Sequence, residues 1–314
     1  MFLKLKAPII VQWEVTYDCN KNCVHCYNYW RNEKSPIKEK ATFYLEEAEK
    51  ITNEIIENDV FQVVITGGEP FLVFDELYPF LKKLKTNNIE ISINTNLSCF
   101  NQSIADKLNE IGIRYLLVSV PASNEDIDYK ITNSKTAFEN TINGLKLAIA
   151  NNFKVSANMV VSQLNLNNIF ENAKILKDIG VERFSVTRAV KPSNCNNFEK
   201  YRLSYEEFCQ LPIALKEVKE KLGMDVFSVE AYPICFNEKF ELLKETGFVR
   251  GCTAGKTFCA VDPKGNVRPC ILISDNRGNK LKKAWKSMDD YRDDSMLPDE
   301  CENCKYANLC GGRL

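Results

Sequence analysis

Hydrophobic and polar positions along the first 223 residues follow two alternating rhythms. Short runs rich in β-branched and aromatic residues occur at 9–16 (IIVQWEVT), 61–66 (FQVVIT), 89–95 (IEISINT), 113–120 (IRYLLVSV), 153–161 (FKVSANMVV) and 182–190 (ERFSVTRAV). Strands buried on both faces of a parallel sheet read this way. Between them, apolar residues recur at helical spacing near 42–58, 74–87, 101–111, 135–151, 165–179 and 204–222. Asn58, Gly112, Asn151, Gly180 and Gly223 stand where those helices should stop. Six successive β–α units predict a parallel sheet with helices packed outside it. The pattern leaves open whether the sheet is doubly wound or a partial barrel. In either, functional residues gather at the C-terminal ends of the strands.

After about residue 224 the alternation fails. "CTAGKTFCAVDPKGNVRPC" (252–270) predicts a short hairpin turning at Asp262-Pro263-Lys264-Gly265, and "CENCKYANLC" (301–310) follows a helical linker. The expected organisation is a body over 1–223, a linker over 224–251 and a cysteine-rich unit over 252–314. That last unit looks too small to be stable by burial alone, so ligated metal is expected to hold it together.

Charge and composition exclude several classes. The 314 residues are 45% hydrophobic and 26% charged, ordinary for a globular protein. Lys plus Arg (41) nearly cancels Asp plus Glu (42), so no strong field favours nucleic acid or an anionic membrane. MFLKLKAPIIVQWEV reads as a first strand and not a signal peptide, and no stretch approaches the roughly 20 apolar residues of a membrane span. A cytoplasmic protein is expected, with neither nucleic acid nor membrane as partner. Thirteen cysteines then need explaining, because a reducing compartment disfavours disulfides. Nine cluster at the two ends; Cys99, Cys195, Cys209 and Cys235 are scattered and read as small buried hydrophobes.

The segment "YDCNKNCVHCYN" (17–28) carries Cys19, Cys23 and Cys26 together with His25, the chain's one histidine. Structural zinc wants four closed ligands and iron–sulfur clusters usually take four thiolates. Either a distant cysteine completes a closed site, or one iron of a 4Fe–4S cluster keeps an open position for a ligand. His25, one residue from Cys26, is badly placed to close a zinc tetrahedron. Three further segments share the rim: "TGGEP" (66–70), "NTNLS" (94–98) and "SVPAS" (119–123). Gly67 and Gly68 allow close backbone approach, Glu69 can accept a charge-assisted hydrogen bond from an ammonium, and Pro70 fixes the turn. Asn94, Asn96, Asn158 and Arg188 are further rim candidates, with a plain polar lining as the alternative.

C-x3-C-x2-C after strand 1, followed by GGEP after strand 2, resembles the radical S-adenosylmethionine (radical SAM) superfamily. The resemblance implies a partial (β/α)6 TIM-like barrel, with Cys19, Cys23 and Cys26 binding three irons of a 4Fe–4S cluster. The fourth iron would chelate the methionine moiety of S-adenosylmethionine, and reductive cleavage would yield a 5′-deoxyadenosyl radical. It also implies that His25 packs near the adenine, that Gly67, Gly68, Glu69 and Pro70 serve the methionine end, and that Ser119 contacts the ribose; Asn94 and Asn158 are rim contacts for the same cofactor. Related enzymes often carry an arginine about a dozen residues after that serine, where this chain has Lys130 in "DYKITNS".

The tail resembles the SPASM extension of peptide-modifying radical SAM enzymes, a small C-terminal iron–sulfur unit. Cys252, Cys259 and Cys270 match its first half and Cys301, Cys304 and Cys310 its second, implying one or two auxiliary 4Fe–4S clusters. The pattern departs where Gly311-Gly312-Arg313 and Leu314 stand in place of further cysteines, so each cluster is expected to be one thiolate short. Substrate, water, Cys195, Cys209 or Cys235 would complete them; Cys235 is alternatively a hydrogen-donating catalytic thiol. The function implied is hydrogen abstraction from a peptide or protein substrate, giving a crosslink, an oxidation or an epimerisation. A reductant such as ferredoxin or flavodoxin is expected. With no residues ahead of strand 1 for a leader-binding domain, leader recognition is expected to need a separate leader-binding protein or another surface of this chain. Ile271, where sulfatase-maturing relatives place an aspartate, argues against formylglycine formation. The alternatives are a small-molecule maturase, for example of a tetrapyrrole, and, remotely, an iron–sulfur electron carrier.

Overall fold

Each of the six apolar runs forms a strand: β1 (Ile10–Glu14), β2 (Gln62–Thr66), β3 (Glu90–Thr95), β4 (Tyr115–Ser119), β5 (Lys154–Val161) and β6 (Arg183–Arg188). The computed structural model describes residues 5–28, 41–191, 198–236, 238–293 and 297–310; Cys195 and the terminal stretch with Leu314 lie outside them. The strands pair parallel in chain order, so that Trp13 sits beside Ile65, Ile65 beside Ile93 and Ile93 beside Leu116. A strictly sequential order has no point where the winding reverses, which excludes the doubly wound alternative. Right-handed crossovers then put the helices on one side, and the sheet must curl to cover its other face. A seventh parallel strand, β7 (Asp225–Phe227), pairs with β6. Among the described residues the sheet's edge strands do not pair with each other, so the barrel is partial.

The helices between strands are α1 (Leu45–Glu57), α2 (Phe74–Thr86), α3 (Gln102–Glu110), α4 (Glu125–Thr132), α5 (Ala137–Ala150), α6 (Ile169–Ile179) and α7 (Tyr205–Leu222). Their apolar stripes face the sheet, as Ala48, Ile51 and Ile55 do on α1. α4 was not foreseen. It is capped by Asn124, whose side chain accepts from Ile127 N, and it buries Asp128, Ile131 and Thr132, so two of its three inward positions are polar and leave no apolar stripe to read.

The cysteine-rich tail joins the same sheet. β8 (Phe258–Val261) and β9 (Val267–Arg268) form the foreseen antiparallel hairpin, its turn held by Asp262 Oδ1, which accepts from Lys264 N and Asn266 N at 2.9 Å. β8 also pairs parallel with β1, Cys259 lying beside Val11. The segment 224–251 supplies β7 and α8 (Phe240–Glu245), and the tail adds α9 (Leu281–Lys286) and α10 (Ala307–Cys310). Trp285 is fully buried and donates to Leu5 O at 2.9 Å, and Leu281 N donates to Glu54 on α1 at 2.6 Å. One hydrophobic core runs from Val11 to Trp285 and Cys310. Among the described residues no helix is long and apolar enough to cross a membrane.

Candidate active site

The three-cysteine loop leaves the C-terminal end of β1 and is pinned at both ends by the GGEP segment. Gly68 N donates to Thr16 O at 2.7 Å and Glu69 N to Asp18 O at 2.9 Å; at the far end Asn28 Nδ2 donates to Gly67 O at 3.2 Å. The glycines are required by this approach. A Cβ on Gly68 would lie 1.8 Å from Asp18 O, and one on Gly67, at φ +135°, 2.6 Å from Thr16 O. The backbone that comes close to them is therefore this chain's own. The middle of the loop rests on α4, where Asn22 N and Val24 N donate to the carbonyls of Thr132 and Ile131 at 3.0 and 2.9 Å. These are orphan carbonyls of a helix end, satisfied by the loop. Lys21, between the first two cysteines, is buried and donates to Thr141 on α5 at 2.9 Å.

Cys19, Cys23 and Cys26 are half-buried thiols. Asn96, after β3, donates to Cys19 Sγ at 3.8 Å and to Asn20 Oδ1 at 2.9 Å. Asn20 in turn donates to Ser98 Oγ at 2.8 Å and Cys99 Sγ at 3.2 Å. Cys99, expected only to fill space, thus belongs to the wall beside the loop. Burial, then the charge of Glu69, pushes its thiol up to about 11. Glu69 itself is fully buried. Its Oε1 accepts from Thr95 Oγ1 at 2.6 Å and Phe71 N at 3.2 Å, and its Oε2 from Asn96 N at 2.8 Å. Burial raises its pKa, and these hydrogen bonds and Lys21 pull it back. Pro70, buried, starts the short turn that Glu69 caps.

His25 Nδ1 is buried without a hydrogen-bond partner, and burial pushes the imidazole down to about 4. Ser119 is exposed at the end of β4, directly beside Asn158 on β5. Asn158 turns its side chain to β6, accepting from Ser185 and Thr187, each at 2.8 Å. Asn94 is half-buried on β3 beside Leu117, and Lys130 is exposed on α4. At the end of β6 the Arg188 guanidinium lies over the rings of Phe208 (4.8 Å) and Tyr232 (5.7 Å), with Nε buried and unpartnered. Arg188 N donates to Tyr232 Oη at 2.8 Å, and that hydroxyl donates to Glu230 at 3.1 Å. Burial pushes Glu230 up to about 7, against the pull of Tyr232, Arg188 and Arg250. Arg188 also lines an open cleft with Lys191, Glu199, Arg202, Tyr205 and Phe208.

In the tail, Cys270 is half-buried and pushed up to about 11 by burial, with the Cys252 charge adding to it. Cys259 is fully buried on β8, and burial pushes its thiol up against the opposing charge of Arg292. Cys301 and Cys304 are half-buried, Cys310 is buried and Cys235 is exposed. Among the described residues, no three His, Cys, Asp or Glu side chains are drawn together closely enough to hold a metal ion as they stand.

A model of the "Radical SAM superfamily" matches residues 13–168, which run from β1 to the turn before α6. The chain belongs to the radical SAM superfamily. This radical SAM enzyme is 24% identical over 340 residues to the "AdoMet-dependent heme synthase" of Methanosarcina barkeri, covering 99% of this chain and 93% of that protein. It is 24% identical over 326 residues to the "Mycofactocin maturase MftC" of Mycolicibacterium smegmatis, covering 98% and 78%. Its fold is that of Streptococcus suis SuiB, solved bound to the precursor peptide SuiA, at a TM-score of 0.77 and 17% identity over 98% of this chain and 72% of that one. Its cofactors are S-adenosylmethionine and a 4Fe–4S cluster. The residues present fit such a cluster. The loop offers three soft thiols with no acidic side chain between Cys19 and Cys26, and His25 presents a buried ring nitrogen that has no hydrogen-bond partner among the described residues.

Proposed function

We propose that this radical SAM enzyme abstracts hydrogen from a peptide or protein substrate and so modifies it by crosslinking, oxidation or epimerisation. When bound, the cluster and S-adenosylmethionine supply a 5′-deoxyadenosyl radical by one-electron reduction of the sulfonium. Cys19, Cys23 and Cys26 would hold the cluster. Gly67, Gly68 and Glu69 fix the loop that carries those thiols, and Asn96 braces Cys19. Ser119 and His25 stand on the rim for the nucleoside end.

The observation that carries the peptide reading is the cleft at the end of β6. It is open, and it sets the cations Arg188 and Lys191 beside the rings of Tyr205 and Phe208, a lining that suits an extended chain with acidic and aromatic side chains. The chain has no histidine besides His25 to ligate a porphyrin iron there. The tail thiols, with Cys252 and Cys270 beside the hairpin and Cys301, Cys304 and Cys310 at the end, are read as ligands of one or two auxiliary 4Fe–4S clusters. The burial of Cys259 in the apolar core argues for packing in its case. A low-potential reductant such as ferredoxin or flavodoxin, and a separate leader-binding protein, complete the system. The likeness to the heme synthase over 99% of the chain favours a second reading, tetrapyrrole modification.

The test is S-adenosylmethionine cleavage to 5′-deoxyadenosine under reducing, oxygen-free conditions, followed by mass spectrometry of offered substrates. A Cys19→Ala, Cys23→Ala, Cys26→Ala triple variant should lose the cleavage; unchanged turnover overturns the assignment. Modification of iron-coproporphyrin, with peptides encoded beside the gene left untouched, overturns the peptide reading in favour of the tetrapyrrole.

A further inference from the structure

Strand β6 carries an arginine at each end. Arg183, at its start, lies over Phe227 at 4.7 Å and pairs with Asp225 at 2.8 Å. Arg188, at its end, lies over Phe208 and Tyr232, but its Nε is buried without a hydrogen-bond partner among the described residues. We propose that the cleft Arg188 lines is an exosite: it holds an acidic segment of the peptide substrate away from the residue that reacts, with Arg188 taking a carboxylate. The inference rests on the peptide reading given above and separates recognition from chemistry within it.

The alternation of side chains along β6 decides which side the cleft is on. Ser185 and Thr187 both donate to Asn158, which is paired with Ser119 on β4. These four residues share the face around which the sheet curls. Phe184 and Val186, of the other parity, are fully buried where α7 packs on the strand. Arg188 has their parity, and its guanidinium reaches Phe208 of α7. The cleft therefore opens on the helix side of the barrel wall, behind Ser119 and Asn158. A segment lying in it does not present its own atoms to the inner face; what reacts there is a neighbouring stretch of the same peptide.

The floor of the cleft is firm and apolar. Phe208 packs on Phe236 with ring centroids 4.3 Å apart, and Arg188 N donates to Tyr232 Oη at 2.8 Å. Tyr205, exposed at the mouth, is held by donating to Phe236 O at 2.7 Å. Of the charged lining, Glu199 and Arg202 pair with each other at 3.4 Å, which leaves Arg188 and Lys191 as the cations not neutralised within it. Glu230 is near enough to feel Arg188, but its Oε2 accepts from Tyr232 Oη at 3.1 Å. A guanidinium held flat on rings keeps its fork of donors for a planar carboxylate, and the rings beside it suit an aromatic side chain. The segment recognised is thus extended and carries glutamate or aspartate near an aromatic residue.

The test uses full-length, cluster-loaded protein and a short fluorescent peptide of glutamate and tyrosine in a serine–glycine background, beside its glutamine counterpart. By fluorescence anisotropy the glutamate peptide should bind about tenfold more tightly, and Arg188→Gln should remove that difference. Arg188→Lys should restore part of it. Lys191→Gln, at an exposed position where folding is not at stake, should weaken binding about threefold, and Arg183→Gln should not weaken it. Melting temperatures show that each variant is folded. A photo-crosslinking form of the peptide should label the stretch 198–208. Binding of neither peptide, equal binding of both, or a difference that survives Arg188→Gln overturns the exosite. Labelling confined to the face of Ser119 and Asn158 overturns it too, while the peptide reading stands. Iron-coproporphyrin III displacing the peptide with the same dependence on Arg188 overturns the peptide as occupant; its modification, with peptides untouched, overturns the reading beneath as well.

Discussion

Arg268 on β9 donates to Glu14 at the end of β1, 254 residues away, and both side chains are buried, at 1% and 0% exposure. The same guanidinium donates to Ile271 O and Ile273 O at 3.2 and 3.3 Å, clasping the loop just after Cys270. One side chain therefore ties the strand that leads to the three-cysteine loop to the hairpin that carries a tail thiol. The carboxylate is incompletely satisfied, since Glu14 Oε1 is buried without a hydrogen-bond partner among the described residues.

Breaking this pair should cost far more than replacing it. Burial pushes Glu14 up to about 8, with the charge and hydrogen bond of Arg268 holding it down. Arg268→Met leaves a buried carboxyl that must take a proton or stay uncompensated, a loss of about 3–5 kcal/mol. The double variant Glu14→Leu, Arg268→Met should recover most of it, the shortfall reflecting the two carbonyls Arg268 also holds. Urea midpoints of the four proteins of the cycle measure this; additive losses would show that the two residues do not act as a pair.

The elements legible in the sequence were those whose signals are local. Six strands and the helices between them, α4 excepted, follow from period alone, and the hairpin turn follows from Asp262-Pro263-Lys264-Gly265, because Asp262 makes its own turn bonds. The pairing of β8 with β1 was not legible, since nothing near Phe258–Val261 encodes a partner about 250 residues earlier. Nor was the burial of Lys21: a lysine in a polar loop looks solvated until α5 brings Thr141 to it. GGEP was recognised, but the close approach of its glycines to Thr16 O and Asp18 O was not legible, because it depends on how the loop after β1 packs on them. Cys99 and Asn96 became site-wall residues only when the loop after β3 folded over Asn20.

Gly68→Ala is expected to abolish S-adenosylmethionine cleavage by displacing the cysteine loop. Its new Cβ would start 1.8 Å from a backbone oxygen, which no rotamer can relieve, and Asp18 is one residue from Cys19. Gly112→Ala is the control: at φ +73° it has nothing within 4 Å of its Cβ, so it should cost about 1 kcal/mol of strain and leave turnover intact. Iron content and 5′-deoxyadenosine yield, measured together, check it. Full activity in Gly68→Ala would show the loop tolerates being moved.

Glu69→Gln is expected to destabilise the protein by about 1–3 kcal/mol, although it keeps the side chain's shape. The carboxylate accepts from Thr95 Oγ1, Phe71 N and Asn96 N, and an amide nitrogen turned toward any of these faces a donor with a donor. Because Asn96 also contacts Cys19, binding of S-adenosylmethionine should weaken in parallel. Thermal melting and ligand titration on the same samples separate the two effects. Weakened binding with an unchanged melting temperature would assign Glu69 to the ligand alone.

Glu230 sets an expected dependence of stability on pH. Its carboxyl is raised from 4.5 to about 7, first by burial, with Tyr232, Arg188 and Arg250 opposing. A folded-state pKa above the unfolded one means that the contribution to stability is fully present below about 4.5 and fades as pH rises through about 7. Near pH 8 the folded protein carries a charge it is poorly arranged to hold. Glu230→Gln removes that charge and can still accept the Tyr232 hydroxyl. The variant should therefore match the parent near pH 5 and exceed it near pH 8 by roughly 1–2 kcal/mol, a partly exposed group being discounted for screening. Glu14 titrates in the same window, so the quantity to measure is the difference between parent and variant melting curves at each pH. A constant difference from pH 5 to pH 8 would show that Glu230 is ionised throughout, held so by Arg188 and Arg250.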